Sequence, residues 1–585
     1  MRILLLATAY NSLVQRANLE LMAAGHDVSI ELSLSDDIMR EGVYLFNPDL
    51  IICPFLKERI PDDIWKNHTC IIIHPGVKGD RGSSSIEWII LEDLEEWGVT
   101  ALQAADIMDT GDIWGSRTFK RRSISKSRMY RHEITETSIL LIHDVVTRFS
   151  SGIYFPEQLD YTNPTVKGKL RPVMTQKDRR INWKLDDSDT IIKKIYSSDN
   201  QPGVLDTLFD EEYFLYGVHH EGKLLGNPGE VIARRQDAIC IATINGSVWI
   251  SHLRKRNTQG EKCFKLPSTK VLADKIMDVP EYPVDSLCQW GSKESFFNSI
   301  SLGETNTYNE IWYYEENDVG YLVFDFYNGA MDTDKCHMLR NSFISARQRK
   351  TKVIVLTCGM DFWSNGIHLN TIEAASDPAE EAWRNINAIN DLILEIITTD
   401  THLVISSISS NAAAGGLIMA LAADFIYARN GIVLNPHYKS MGLYGSEYWT
   451  YLLPRRVGHK KAEELMENCS PINTEQAHDI LLIDGIIHSD GYDFYHHISQ
   501  IAENLSKLPD YDMKLRLKSE KKLLDESEKP LASYREEELE EMKKCLYEYD
   551  YIYHQCGCNF HTARHNFVHK INPTTTPLRF AVHRR

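Results

Sequence analysis

The chain has 585 residues, too many for one hydrophobic core, so about three to four domains are expected. A net charge of −18 argues against general binding to nucleic acid or to an anionic membrane, and no apolar run approaches the ~20 residues that a membrane span requires. Eleven scattered cysteines form no regular framework, so free thiols in a reducing, cytoplasmic compartment are expected.

The opening MRILLLA lacks the basic start and small-residue cleavage site of a secretory signal and reads as a first buried strand. An amphipathic helix from Ser12 to Ala24 follows, stopped at Gly25, and HDVSIEL is the second strand. LIICPF and CIIIH are further buried strands, and their alternation with helical segments predicts a mostly parallel sheet. No GxGxxG follows the first strand, so a dinucleotide is not indicated. The run Cys70 to Ile73 delivers His74 onto a Pro-Gly turn, and a strand-like run from Val99 to Met108 delivers Asp109 onto a Thr-Gly turn. Two strand ends that each present a proton-handling group at a sheet's carboxyl edge can form an active site.

From about Gly168 to Lys270, RRINWKL and a short helix from Ser188 to Ser197 lead into short alternating strands such as AICIATI and SVWISHL, the pattern of a small β-barrel. Residues 272 to 307 read as a linker. At Glu310 a second α/β unit begins, with strands YLVFDFY and KVIVLTC, long helices at Thr333–Arg349 and Ala379–Thr398, and the small-residue segment NAAAGGLIMALAADFIYA. Beyond Leu505 the charge-rich sequence predicts solvated helices carrying an apolar stripe. Near the end, Cys556 and Cys558 with His554 and His561 could hold a metal, but a one-residue spacing is unusual for zinc and no metal is expected.

The His74-Pro-Gly turn, the Arg81-Gly82 pair and MDTGDI, continued by RINW at Arg180–Trp183 and QPG at Gln201–Gly203, resemble the N10-formyltetrahydrofolate-dependent formyltransferases over roughly residues 1–265. The resemblance implies catalytic roles for His74 and Asp109 and an OB-like second domain. The family's Asn two positions before the His is Ile72 here. Losing such a donor costs about 3 kcal/mol of barrier in acyl transfer, so transfer to an ordinary amine is disfavoured.

The segment TCGMDFWSNGIHLN, followed by AAAGGLIMALAADFIYA, resembles the crotonase (enoyl-CoA hydratase/isomerase) superfamily over about residues 310–490. This implies an oxyanion hole for a thioester carbonyl, made by the N–H groups of Ile367 and Gly415, with Gly416 at the same helix start. Counted from the glycines, the hydratase glutamates fall on Ile418 and Tyr438, so hydration is not expected. Tyr438 becomes the proton handler, with His437 and Glu447 to assist.

Together the two halves resemble the nickel–iron hydrogenase maturation factor family HypX (HoxX), which further phrases such as AYNSLVQR, SRMYRHEIT, FYNGAM, PLASYREEELEEMKK and HTARHNF also fit. The implied architecture is multidomain α/β: a Rossmann-like formyltransferase domain (1–165), an OB-like β-barrel (168–270), a linker (271–307), a crotonase-like α/β domain (308–505) and a helical C-terminal extension (506–585). The implied activity is carbon monoxide synthesis from N10-formyltetrahydrofolate with coenzyme A as carrier, for hydrogenase maturation proteins or the hydrogenase large subunit. Arg131 and Arg564 are the expected phosphate contacts, with Gln201 and Asn328 as neutral ones. Two other readings remain open: a formyltransferase acting on an amino-sugar nucleotide with an acyl-CoA isomerase or hydrolase half, and a non-catalytic scaffold.

Overall fold

The computed structural model describes residues 1–547 except 258, 259, 261, 284–295, 297–306, 360 and 490. The first sheet contains β1 (Arg2–Ala7), β2 (Asp27–Leu32), β3 (Leu50–Cys53), β4 (Cys70–His74), β5 (Glu96–Gln103) and β6 (Ile113–Lys120), in the order β2-β1-β3-β4-β5-β6. The four strands β1 to β4 are parallel. Helices Ser12–Ala23 and Thr135–Ser151 cover one face, and Asp36–Phe46 covers the other. β5 and β6 are antiparallel to their neighbours. The strand expected over Val99–Met108 therefore ends at Gln103 and runs away from the carboxyl end of β4. Asp109 is carried instead by the loop between β5 and β6.

The second unit contains β7 (Val204–Leu208), β8 (Glu211–Glu221), β9 (Val231–Arg235), β10 (Ala238–Ala242) and β11 (Ser247–Lys255), paired in the order β7-β8-β11-β10-β9, with β12 (Leu266–Pro267) on β11. Its pairings are antiparallel. No ladder joins β7 to β9 among the described residues, so the sheet expected to close as a barrel is open between them. Helix Ser188–Ser198 plugs it with Ile191 and Ile195. The segment expected as a plain linker is partly packed: Leu272 and Ile276 lie in this core, and Phe296 lies in that of the third unit.

The third sheet runs β13 (Ile311–Glu316), β14 (Val319–Phe324), β15 (Val353–Cys358), β16 (Leu403–Ile408), β18 (Phe425–Arg429) and β21 (Gly485–Ile487), parallel from β14 onward. Beside it lies a small sheet of β17 (Ala412–Ala413), β19 (Val433–Asn435) and β20 (Ile472–Asn473). The helices Thr333–Arg347 and Pro378–Thr398 bury one face and Gly491–Ser506 the other. The charge-rich helix Leu531–Tyr547 is not merely solvated. It buries Glu538, Met542, Cys545 and Leu546 against the third unit.

Ion pairs join the units. Arg128 pairs with Asp325, Arg429 with Glu136, and the buried Lys335 with both Asp237 and Glu310. The eight described cysteines form no disulfide. No described helix is long and apolar enough to cross a membrane.

Candidate active site

At the end of β4 the chain turns through Pro75 and Gly76. Trp97 Nε1 donates to the Pro75 carbonyl (2.9 Å) and Thr100 Oγ1 to that of Gly76 (2.8 Å). A Cβ at Gly76 would lie 2.5 Å from His74 Nε2, so only glycine fits beside the imidazole. The ring sits between two carboxylates, with Nε2 3.0 Å from Asp80 Oδ2 and Nδ1 3.7 Å from Asp109 Oδ1. Asp109 adopts a left-handed backbone (φ 59°), and its Oδ2 accepts the Gly82 N–H at 3.2 Å. Asp80 is buried and also accepts from Arg171 Nε (2.9 Å) and from the Ser85 hydroxyl. Sequence reasoning missed Asp80. Its signal was the glycine-rich HPGVKGD loop, in which the Asp80 N–H bonds back to the Val77 carbonyl. Ile72 lies on the same cavity wall, as a side chain that donates nothing.

The second cluster forms where the loop after β15 meets the start of helix Gly415–Leu421. Gly366 packs so closely that a Cβ there would lie 3.1 Å from the Gly415 nitrogen, and one at Gly416 would lie 2.2 Å from the Ser364 carbonyl. Among the described residues, neither the Ile367 nor the Gly415 N–H donates to a protein acceptor. Ala414, immediately before, holds φ 47°, a region that is strained for a residue with a Cβ. Glu447, also left-handed at φ 67°, brings a carboxyl group to the same spot: a Cβ on Gly415 would lie 2.4 Å from its Oε1. Its Oε2 accepts from the Tyr438 hydroxyl and the Ser446 N–H, both at 2.9 Å.

Burial raises the Glu447 pKa above the usual carboxylate range and pushes the Tyr438 phenol well above its own. The carboxyl group lies against the glycine turn, and the phenol supports it. Glu538, from the C-terminal helix, accepts the Tyr448 N–H (2.9 Å) and the Thr450 N–H (2.8 Å), and burial pushes its carboxyl up to about 8. His437 bonds through Nδ1 to the Asn435 carbonyl (3.1 Å), and burial lowers its pKa.

One cavity of about 1410 Å³ is lined by both clusters. His74, Asp109 and Ile72 line it, and so do Ile367, Gly415, Tyr438 and Glu447. Gln201, Asn328, His252, Lys265 and Tyr327 line it as well. Asn328, at φ 56°, is held by its carbonyl, which accepts from Asn365 Nδ2 at 2.8 Å. Lys265 donates to the Tyr327 hydroxyl (3.1 Å), and burial lowers its ammonium to about 8.

Arg131 is not the free cation expected. It sits in a single π turn, Tyr130–Ile134, makes a two-point pair with Asp361 (Nη2–Oδ2 2.6 Å), and lies over the Phe362 ring at 4.7 Å. It nevertheless faces the cavity. Arg564 and the Cys556–Cys558 segment with His554 and His561 lie outside the described residues.

Comparison with known proteins finds relatives of both halves. The Formyl transferase, C-terminal domain family model matches residues 173–264, and the Enoyl-CoA hydratase/isomerase model matches 326–550. The chain is 42% identical over 585 residues to the hydrogenase maturation factor HoxX of Bradyrhizobium diazoefficiens, spanning 100% of this chain and 97% of that one. The crystal structure of HypX from Aquifex aeolicus in complex with tetrahydrofolic acid superimposes with a TM-score of 0.90 at 40% identity, covering 97% of this chain and 96% of that one. Methionyl-tRNA formyltransferase of Citrifermentans bemidjiense is 26% identical over 237 residues, 40% of this chain and 71% of that enzyme.

Proposed function

Since the chain belongs to the HoxX/HypX family of hydrogenase maturation factors and carries formyltransferase and enoyl-CoA hydratase-like domains, we propose that it makes carbon monoxide in the cytoplasm for the hydrogenase iron. N10-formyltetrahydrofolate and coenzyme A would be co-substrates, reacting by formyl transfer to the thiol and then by decarbonylation of the formyl thioester. The observation that carries this reading is the single cavity holding both His74 and Gly415. The binding of tetrahydrofolic acid by the Aquifex relative supports the folate half. Lys57 and Lys265, which line the cavity and form no ion pair among the described residues, suit a long, thiol-ended, phosphorylated carrier.

A thiolate is a strong nucleophile, so the first site needs less than an amine acceptor demands, and Ile72 is tolerated. His74 takes the thiol proton as sulfur attacks the formyl carbon and returns it to N10 as the C–N bond breaks. Asp80 and Asp109 hold the ring from either side. At the second site, the Ile367 and Gly415 N–H groups grip the carbonyl oxygen and acidify the formyl C–H. Glu447 removes that proton as the C–S bond breaks and passes it to the departing sulfur, so carbon monoxide and free thiol leave in balance. Tyr438 positions Glu447. A carboxyl group placed against Gly415 favours a working second site over a scaffold.

The test is purified protein supplied with formyl-labelled folate and coenzyme A, with reduced haemoglobin as the trap. Labelled carboxyhaemoglobin that requires both substrates is the expected result. Its absence, with both substrates bound, would refute the reading.

A further inference from the structure

Helix Pro378–Thr398 turns an apolar face to the core of the third unit, yet it buries two asparagines there, Asn385 and Asn390, each 0% exposed. Asparagine is a poor helix former, and an amide buried in a core is costly unless it is hydrogen-bonded. Neither side chain lines the cavity, although Ile386 between them does. Each reaches instead to a loop of the second cluster.

Asn385 Nδ2 donates to the Met331 carbonyl at 3.0 Å, and its Oδ1 accepts the His368 N–H at 3.2 Å. The Met331 N–H donates to the Gly366 carbonyl at 2.9 Å, and Met331 pairs with Ile367 as a parallel bridge. The peptide groups on both sides of Ile367 are therefore pinned toward Met331 and Asn385. Across the trans peptide from the Gly366 carbonyl, the Ile367 N–H must point the other way. Asn390 Oδ1 accepts the Glu447 N–H at 2.7 Å, while its Nδ2 is buried with no partner among the described residues. Half of this amide is left unpaired, a cost that an apolar side chain would not carry. Glu447 needs the tether, because a glutamate stays at φ 67° only where its surroundings impose it. Glu538 holds the next N–H, that of Tyr448.

We propose that Asn385 and Asn390 are positioning residues for the second reacting centre: Asn385 aims the Ile367 N–H at the thioester carbonyl, and Asn390 sets the Glu447 carboxyl group against the Gly415 turn. The assignment rests on the functional reading above. Both residues stand on one helix, five positions and about 7.5 Å of axial rise apart. The oxyanion donor and the proton acceptor are thus spaced by a rigid element rather than by the loops that carry them. Each asparagine serves a different event, so their losses separate. Without Asn385 the carbonyl is polarised less, and without Asn390 the proton is removed more slowly.

The test uses the full chain as wild type, N385A and N390A. Acetyl-CoA labelled at its carbonyl carbon probes the donor by isotope-edited infrared spectroscopy. Its bound carbonyl band is expected at lower frequency than the free band in wild type and N390A, with about half or more of that shift lost in N385A. Gas release from supplied formyl-CoA probes the acceptor. In N390A kcat is expected to fall about ten- to a hundredfold with KM unchanged, while formyl transfer from folate to coenzyme A keeps its wild-type rate. A purely structural asparagine would move the melting temperature and neither of these. A carbonyl band in N385A at the wild-type position, or a wild-type kcat in N390A, overturns the proposal. If an alanine variant does not fold, N385S or N390S, whose side chains are shorter than asparagine, is held to the same outcomes. Should wild type bind no thioester and release no gas, the functional reading falls, and the two tethers are judged in the ligand-free chain by amide hydrogen exchange. Faster exchange confined to residues 364–369 in N385A and to 445–449 in N390A upholds them, and unchanged or uniformly faster exchange refutes them.

Discussion

Glu447 has one carboxylate oxygen against Gly415 and the other in the grip of Tyr438 and Ser446, and this division of labour can be measured. E447Q is expected to lower carbon monoxide release about a hundredfold or more while formyl transfer persists, seen as accumulating formyl thioester. Y438F is expected to cost less, about tenfold, and to leave a signature that a merely structural residue would not. The phenol stabilises the carboxylate form, so its loss raises the Glu447 pKa, and the rise of rate with pH moves to higher pH. In the first site, Asp80 serves His74, Arg171 and Ser85 at once. D80N should therefore lose both turnover and about 3 kcal/mol of stability in urea unfolding.

Glu538 carries a prediction of opposite sense. Its carboxyl titrates near 8 when folded and near 4.5 when unfolded. Across that window the folded chain holds a proton the unfolded chain has lost, so the stabilisation is complete below about 4.5 and disappears as pH rises through about 8. Wild-type melting temperature should fall between pH 5 and 8 more steeply than that of E538Q, and parallel slopes would contradict the assignment.

At the scale of elements, the junction of β17 with helix Gly415–Leu421 concentrates the strain. A414G removes a Cβ from φ 47° and is expected to raise stability by about 1 kcal/mol in thermal melts, while slowing carbon monoxide release as the donors loosen. G415A places a methyl group where Glu447 Oε1 now lies, and should abolish the second step alone.

The sequence legibly carried the elements and the local motifs. Period-2 and period-3.6 patterning located β1 to β4, β10, β11, β14 and β15 and the helices after Ser12, Ser188, Thr333 and Pro378, and His74 and Asp109 stood out by the turns they precede. The direction of β5 was hidden, because a strand's own residues look alike in parallel and antiparallel ladders. Counting from the glycines found no carboxylate, since Glu447 returns to Gly415 through a loop with two successive left-handed residues, Glu447 and Tyr448. The apolar stripe expected on the charge-rich C-terminal helices is what seats Leu531–Tyr547, through Met542, Cys545 and Leu546, while the burial of Glu538 among them left no mark in the pattern.

For the molecule as a whole, the shared cavity would let the proposed thioester pass from one cluster to the other without leaving the protein. Labelled formyl-folate supplied with an excess of unlabelled free formyl-CoA should give carbon monoxide whose label is undiluted; dilution in proportion to the free pool would show that the intermediate leaves. The arginines Arg128 and Arg131, reaching from the first unit to Asp325 and Asp361 in the third, hold the wall between the halves together.

The helix Leu531–Tyr547 supplies Met542 to the cavity lining and Glu538 to the backbone beside Glu447. On the ribosome, the domain bearing His74 therefore emerges several hundred residues before this helix adds its wall to the second cluster. A premature stop codon between the two would strip the second cluster of that wall while leaving the first domain's His74 and Asp109 in place.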